Sequence, residues 1–316
     1  MAPSLPLLAA ATLSATLLTT TGPAVPVRAA RPKTTPAVAA EHSAAPGAAE
    51  RRRVLRYWTP RRMAAAVPAA PLPSLRAPIR RPTTARRADG AVWSGRGGAG
   101  SVGRTTGRVF LTMAGSDFVC SASTVRSASR DLVVTAGHCL KDGTGEWADN
   151  WIFVPGYRDG GGPYGSFTAR RMFVPRQWSQ RGDDSHDVGM VALNRRRGRH
   201  VADVTGVQEI AFNARRGGAA HIFGFPADPP YDGRRLVYCA GRPRPDPHGQ
   251  THDQGLPCDM TAGASGGPWL SGFDPRTGRG TLTSVSSFKY TDDETVMYGP
   301  YLGAAAKDLY ARAQRA

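Results

Sequence analysis

At 316 residues with a formal net charge of +17, the chain is long enough for one or two domains with an ample core. The charge is uneven: residues 1–107 hold 16 Lys and Arg against 3 Asp and Glu, whereas 108–316 hold 25 against 21. That split excludes a uniformly basic chain, and no periodic repeat or transmembrane span competes for the remaining two thirds.

Residues 5–20 form a Leu/Ala/Thr-rich run too short to cross a bilayer, followed by Pro23, Pro26 and the small pair Ala29-Ala30. The run reads as an export signal over 1–30, although no Lys or Arg precedes Arg28. From 31 to 106 the chain is Ala, Pro and Arg, and 13 of its 26 prolines lie before residue 108. So little apolar area cannot offset chain entropy, so a propeptide or disordered basic segment is expected there. Its Arg clusters at 51–53, 61–62, 80–81 and 86–87 carry no repeating aromatic partner, which argues against nucleic-acid binding.

Beyond 107, short apolar or alternating runs recur at 109–113, 118–125, 132–135, 151–154, 188–193, 221–225, 236–239, 281–288 and 295–298, separated by Gly/Pro/Asp turns. The spacing predicts an all-β sandwich or barrel rather than βαβ units. Only 303–312, Ala-rich with Leu309 on one face, reads as a helix.

Three of these segments carry chemistry: TAGHC at 135–139, SHDVGMVAL at 185–193 and CDMTAGASGGPWL at 258–270. A serine hydroxyl is a weak nucleophile and needs a base within hydrogen-bond reach. An imidazole can take that proton and return it to a leaving amine, and a buried carboxylate on its other nitrogen fixes the tautomer. Ser265 is read as nucleophile, His138 as general acid/base and Asp187 as orienting carboxylate. Gly263 and Ser265 would supply backbone N–H groups to an oxyanion without a side chain in the way. Asp183 and Asp184 compete for the carboxylate role, but only Asp187 immediately precedes the apolar run Val188 to Leu193; the other two read as loop residues, with Asp184 the fallback. GASGG also fits the G-x-S-x-G elbow of α/β-hydrolases, a fold that needs a histidine after the serine; the last histidine here is His252. His248 and His252 are four apart, but in a Pro/Gly-broken loop rather than on one helix face, so no metal or other cofactor is expected.

In the order His, Asp, Ser, the motifs TAGHC, DVGMVAL and GASGGP resemble those of the chymotrypsin-like (trypsin-fold) serine peptidases over residues 107–316. YGPYLG at 298–303 and the tail after it are similar to the bacterial secreted branch that includes the glutamyl endopeptidases. The resemblance implies two antiparallel β-barrels, about 107–203 and 204–302, with a short C-terminal helix and a site between them. It implies a secreted, monomeric endopeptidase acting on polypeptides; the alternative is a noncatalytic protease-fold binding protein with a basic docking tail. Four cysteines allow three pairings; equal separations of 19 suggest Cys120–Cys139 and Cys239–Cys258, and the first is similar to the family's bridge beside the catalytic histidine. Asp259, six before the serine, stands where trypsin-like members hold the acid that binds Arg or Lys, yet Thr261 replaces their pocket cysteine. The strand 283–290 lacks the histidine on which glutamate preference leans. Ala264 precedes the serine where digestive relatives carry an Asp that pairs with a new N-terminal ammonium. The segment before 107 is therefore expected to cover the cleft or assist folding, and starts between 95 and 108 to be interchangeable.

Overall fold

The structure is a computed structural model, and it describes residues 39–69, 89–95, 98, 100–291 and 293–316; the expected export signal lies outside them. Within the segment expected to be a propeptide or disordered, residues 39–69 are ordered. It forms β1 (Ala39–Ser43), α1 (Ala48–Tyr57), α2 (Pro60–Ala65) and β2 (Val67–Pro68). Thr59 caps α2 by accepting the Arg62 N–H, and Pro60 takes the first helical position, where its missing N–H is no loss. The stretch has no core of its own and borrows one: Val54 and Trp58 are buried, and the Trp58 ring lies 5.5 Å from that of Phe110. Apolar content measures whether a segment can fold alone, not whether it can dock.

Packing of the chain onto the barrels also begins before residue 107. β3 (Ala91–Val92) pairs antiparallel with Val237 and Tyr238, and Trp93 sits edge-on to Phe223, Tyr238 and Phe273. α3 (Val102–Thr105) buries Val102 and leads into the first barrel. Every start between 95 and 108 would remove β3 and Trp93 together, so all such truncations lose this packing on the second barrel alike.

The first barrel comprises β4 (Thr106–Met113), β5 (Ser116–Thr124), β6 (Leu132–Thr135), β7 (Asp149–Pro155), β8 (Phe167–Pro175) and β9 (Gly189–Leu193). Strands run β7-β4-β5-β6-β9, and β8 closes the ring by pairing with both β7 and β9. β6 and β9 are buried at every position, which is why they read as unbroken apolar runs rather than alternating ones. α4 (Arg176–Arg181) follows β8 and stops at Gly182, whose φ of 60° is the left-handed conformation that ends helices. α5 (Val201–Thr205) leads to the second barrel.

That barrel holds β10 (Glu209–Ile210), β11 (Ala220–Gly224), β12 (Val237–Gly241), β13 (Arg244–Pro245), β14 (Gln254–Pro257), β15 (Pro268–Asp274), β16 (Arg279–Val285), β17 (Phe288–Tyr290) and β18 (Asp293–Gly299). They form two sheets, ordered β10-β16-β15-β11-β12-β3 and β13-β14-β18-β17. α6 (Ala304–Ala313) closes the chain, with Ala306, Leu309 and Ala313 buried. The fold is thus mostly β with two barrels and a short terminal helix.

Candidate active site

β6 ends at Thr135, and the chain turns through Gly137–Cys139 in a single helical turn that carries His138. Gly137 has to be small, because a Cβ there would come within 2.9 Å of Asp187 Oδ1. A second helical turn, Asp184–His186, delivers Asp187 just ahead of β9, which pairs with β6. The carboxylate then holds His138 at two points. Asp187 Oδ1 accepts the His138 backbone N–H at 2.7 Å, and Oδ2 lies 2.8 Å from ring Nδ1. Ser287 Oγ donates to the same Oδ2 at 2.5 Å. Asp187 is only 1% exposed. Burial alone would push its carboxyl up, but the His138 charge and the hydrogen bonds from His138 and Ser287 prevail and hold it below the ordinary value.

The opposite ring nitrogen, His138 Nε2, is buried and hydrogen-bonded to nothing among the described residues. Ser265 lies on the other barrel, against Cys139, the residue that follows His138. Its carbonyl accepts the Ser121 N–H at 2.7 Å and sits 3.8 Å from Cys139 Sγ. Ser121 joins the barrels a second time, its hydroxyl donating to the Gly263 carbonyl at 2.9 Å and accepting the Phe225 N–H at 2.9 Å. The serine turn needs its glycines: Gly263 has φ 93° and Gly266 has φ 80°, and a Cβ on Gly266 would overlap Thr135 Oγ1 and the Ser121 carbonyl. Neither the Gly263 nor the Ser265 N–H donates to another protein group among the described residues.

The competing carboxylates go elsewhere. Asp183 caps its own turn, accepting the Ser185 N–H at 3.2 Å, and lies 3.2 Å from His186 Nδ1. Asp184 is half-buried in the same turn; burial first, then the charges of Asp187 and Asp183, push its carboxyl up to about 6. Asp253, which the sequence did not single out, is 1% exposed with no partner for either oxygen among the described residues, and burial plus Asp187 and Asp184 push it well above 3.8. Ser287 escaped too: one of three serines in TSVSSFKY, it has no pattern until the fold brings it to Asp187.

Cys120–Cys139 and Cys239–Cys258 are disulfides. The metal-like groupings that include those cysteines therefore offer no thiolates, and His248 instead meets the Tyr290 ring edge-on at 4.5 Å. Asp259 is buried, its Oδ1 accepting the Gly90 N–H at 2.7 Å and the Tyr231 hydroxyl at 2.6 Å.

No family model matches the chain. Among solved structures, the protease Anisep from Arthrobacter nicotinovorans is 39% identical, with a TM-score of 0.65 over 70% of this chain and 99% of its own. The thermostable serine protease AL20 from an extremophilic microorganism is also 39% identical, with a TM-score of 0.64 over 67% of this chain and 98% of its own. A Glu endopeptidase, at 18% identity and a TM-score of 0.53, shares the fold. A curated extracellular metalloprotease of Bacillus subtilis (strain 168) is 29% identical over 98 residues, and the match spans about a third of each chain.

Proposed function

Since the chain belongs to the bacterial serine proteases with the trypsin-like double-barrel fold, we propose that it is a secreted endopeptidase working through an acyl-enzyme on Ser265. The two-point hold of Asp187 on His138 carries the reading: it directs Nδ1–H to the carboxylate and leaves Nε2 as the acceptor. Ser265 Oγ attacks the scissile carbonyl carbon while its proton passes to Nε2, and the carbonyl oxygen becomes an oxyanion facing the Gly263 and Ser265 N–H groups. Collapse expels the amine, which takes the proton from His138. Water, deprotonated by the same nitrogen, then releases the acid and frees Ser265.

Two disulfides and the expected export signal support an oxidising compartment outside the cytosol. Among the described residues no helix is long and apolar enough to cross a membrane. The test is a fluorophosphonate probe on the processed protein. Labelling at Ser265 alone, lost in His138→Ala, is expected; an unlabelled Ser265 in folded protein would favour the noncatalytic binding role.

Primary specificity for Arg or Lys through Asp259 is not supported by the geometry, because the carboxylate is engaged by the Gly90 amide and Tyr231. A Cβ on Gly90 would come within 2.7 Å of Tyr231 Oη and Val237 Cγ1, so that amide is fitted closely to its site. Asp259→Asn should therefore change kcat/KM for Arg and Ala at the cleaved position by similar factors, within about threefold of each other, while loosening 89–95 to limited proteolysis. A loss of roughly 100-fold or more confined to Arg and Lys substrates would return Asp259 to cation binding.

A further inference from the structure

The structure assigns residues 39–69 as a separable partner of the first barrel, one that stays docked after the chain is cut between residues 70 and 88. This inference does not depend on the catalytic reading. The segment meets the barrel as a ligand would. β1 adds to the part of β8 that lies beyond its short pairing with β7, over five residues, from Ala39 opposite Pro175 to Ser43 opposite Arg171. The Ala44 and Ala45 N–H groups continue onto the carbonyls of Arg170 and Ala169 at 3.1 and 3.2 Å. Asn194 Nδ2 donates back to the Ala45 carbonyl at 2.9 Å. Strand addition supplies main-chain bonds, and side-chain anchors then fix the register.

Trp58 is the central anchor: 5% exposed, ring against Phe110, Nε1 donating to the Asn150 carbonyl at 2.5 Å. Beside it Asp117 accepts the Tyr57 hydroxyl at 2.6 Å and the Arg62 Nε at 2.8 Å. Glu41 pairs with Arg171 at 2.6 Å and with Arg312 on α6. At the far end β2 lies parallel to β5, and the Ala69 N–H donates to the Val119 carbonyl at 3.0 Å. These contacts all reach the first barrel or the terminal helix, and among the described residues none reaches His138, Asp187 or Ser265 by hydrogen bond or ion pair. The segment therefore makes no polar contact with the catalytic residues; it covers a strand edge that would otherwise be open to pairing with another chain. On resuming at Gly90 the chain is on the second barrel, held by Asp259, so the two attachments are independent.

The test uses full-length Ser265→Ala protein carrying a site for a sequence-specific protease between residues 70 and 88. After complete cutting, the N-terminal fragment is expected to co-elute with the barrels in size-exclusion chromatography at micromolar concentration and, without a competitor, to part from them only in denaturant. A synthetic 39–69 peptide in excess should displace the fragment, and the same peptide carrying Trp58→Ala should do so at least tenfold less well, a comparison that leaves the barrels unaltered. Separate elution of fragment and folded barrels overturns the inference. Equal displacement by the two peptides, or precipitation of the barrels with the fragment left free in solution, does so too.

Discussion

Ser265→Ala is expected to lower kcat by about 10⁶ while the melting temperature stays nearly unchanged. The two outcomes separate because the backbone and the hydroxyl of this residue do different work. The backbone is structural: its carbonyl accepts the Ser121 N–H across the barrel interface, and the turn is shaped by Gly263 and Gly266. The hydroxyl is not counted in that scaffold, so a methyl group keeps the turn and removes only the nucleophile. The residual rate reports what the oxyanion donors and substrate binding supply without a covalent step. Gly266→Ala is the contrasting control, since its Cβ would overlap Thr135 Oγ1 and the Ser121 carbonyl, and it should lose stability along with activity. Steady-state kinetics on a peptide substrate, with thermal melts of both variants, make the comparison. Retained activity in a clean Ser265→Ala preparation would remove the serine from the mechanism.

The elements that sequence reading found are those whose pattern is local. β6 is four apolar-to-small residues between turns, and its bounds match the expected 132–135; α6 is displaced from the expected helix by one residue. β8 escaped because Arg170-Arg171 interrupts an otherwise apolar run, and those arginines point to partners on other segments, Arg171 to Glu41 and Arg170 to the Ala316 carbonyl. β15 escaped because Pro268 and Gly272 read as breakers, while in the barrel they sit at the strand start and near a shift of register. Within the site, Ser265, His138 and Asp187 carry motifs that span a few residues each. Ser287 and Asp253 do not, since what brings them to Asp187 is the packing of one barrel on the other. The N-terminal segment followed the same logic: Tyr57 and Trp58 mean little in an Arg-rich stretch until Asp117 and Phe110 are opposite them.

Asp187→Asn is expected to lower kcat by about 10⁴. The carboxylate accepts from three donors: the His138 N–H, Nδ1–H and the Ser287 hydroxyl. An amide has one accepting oxygen, so its NH₂ must face a former donor. If it faces Nδ1, the imidazole carries its proton on Nε2 and cannot take one from Ser265. The substitution also leaves a buried donor opposed, which costs about 1–3 kcal/mol. Because the Asp187 carboxyl is held below its ordinary 3.8, its contribution to stability is present above that value and is lost as pH falls through the folded-state value. Asp184 has the opposite sign. Its carboxyl is raised to about 6, so its contribution is fully present below 3.8 and fades as pH rises through about 6. Asp184→Asn should accordingly retain most of the activity and lessen the decline in melting temperature expected as pH rises from about 4 to 6, to which the raised Asp253 carboxyl also contributes. Kinetics and melts across that range for both variants distinguish the roles: a 10⁴-fold loss in Asp184→Asn with Asp187→Asn active would exchange the two assignments.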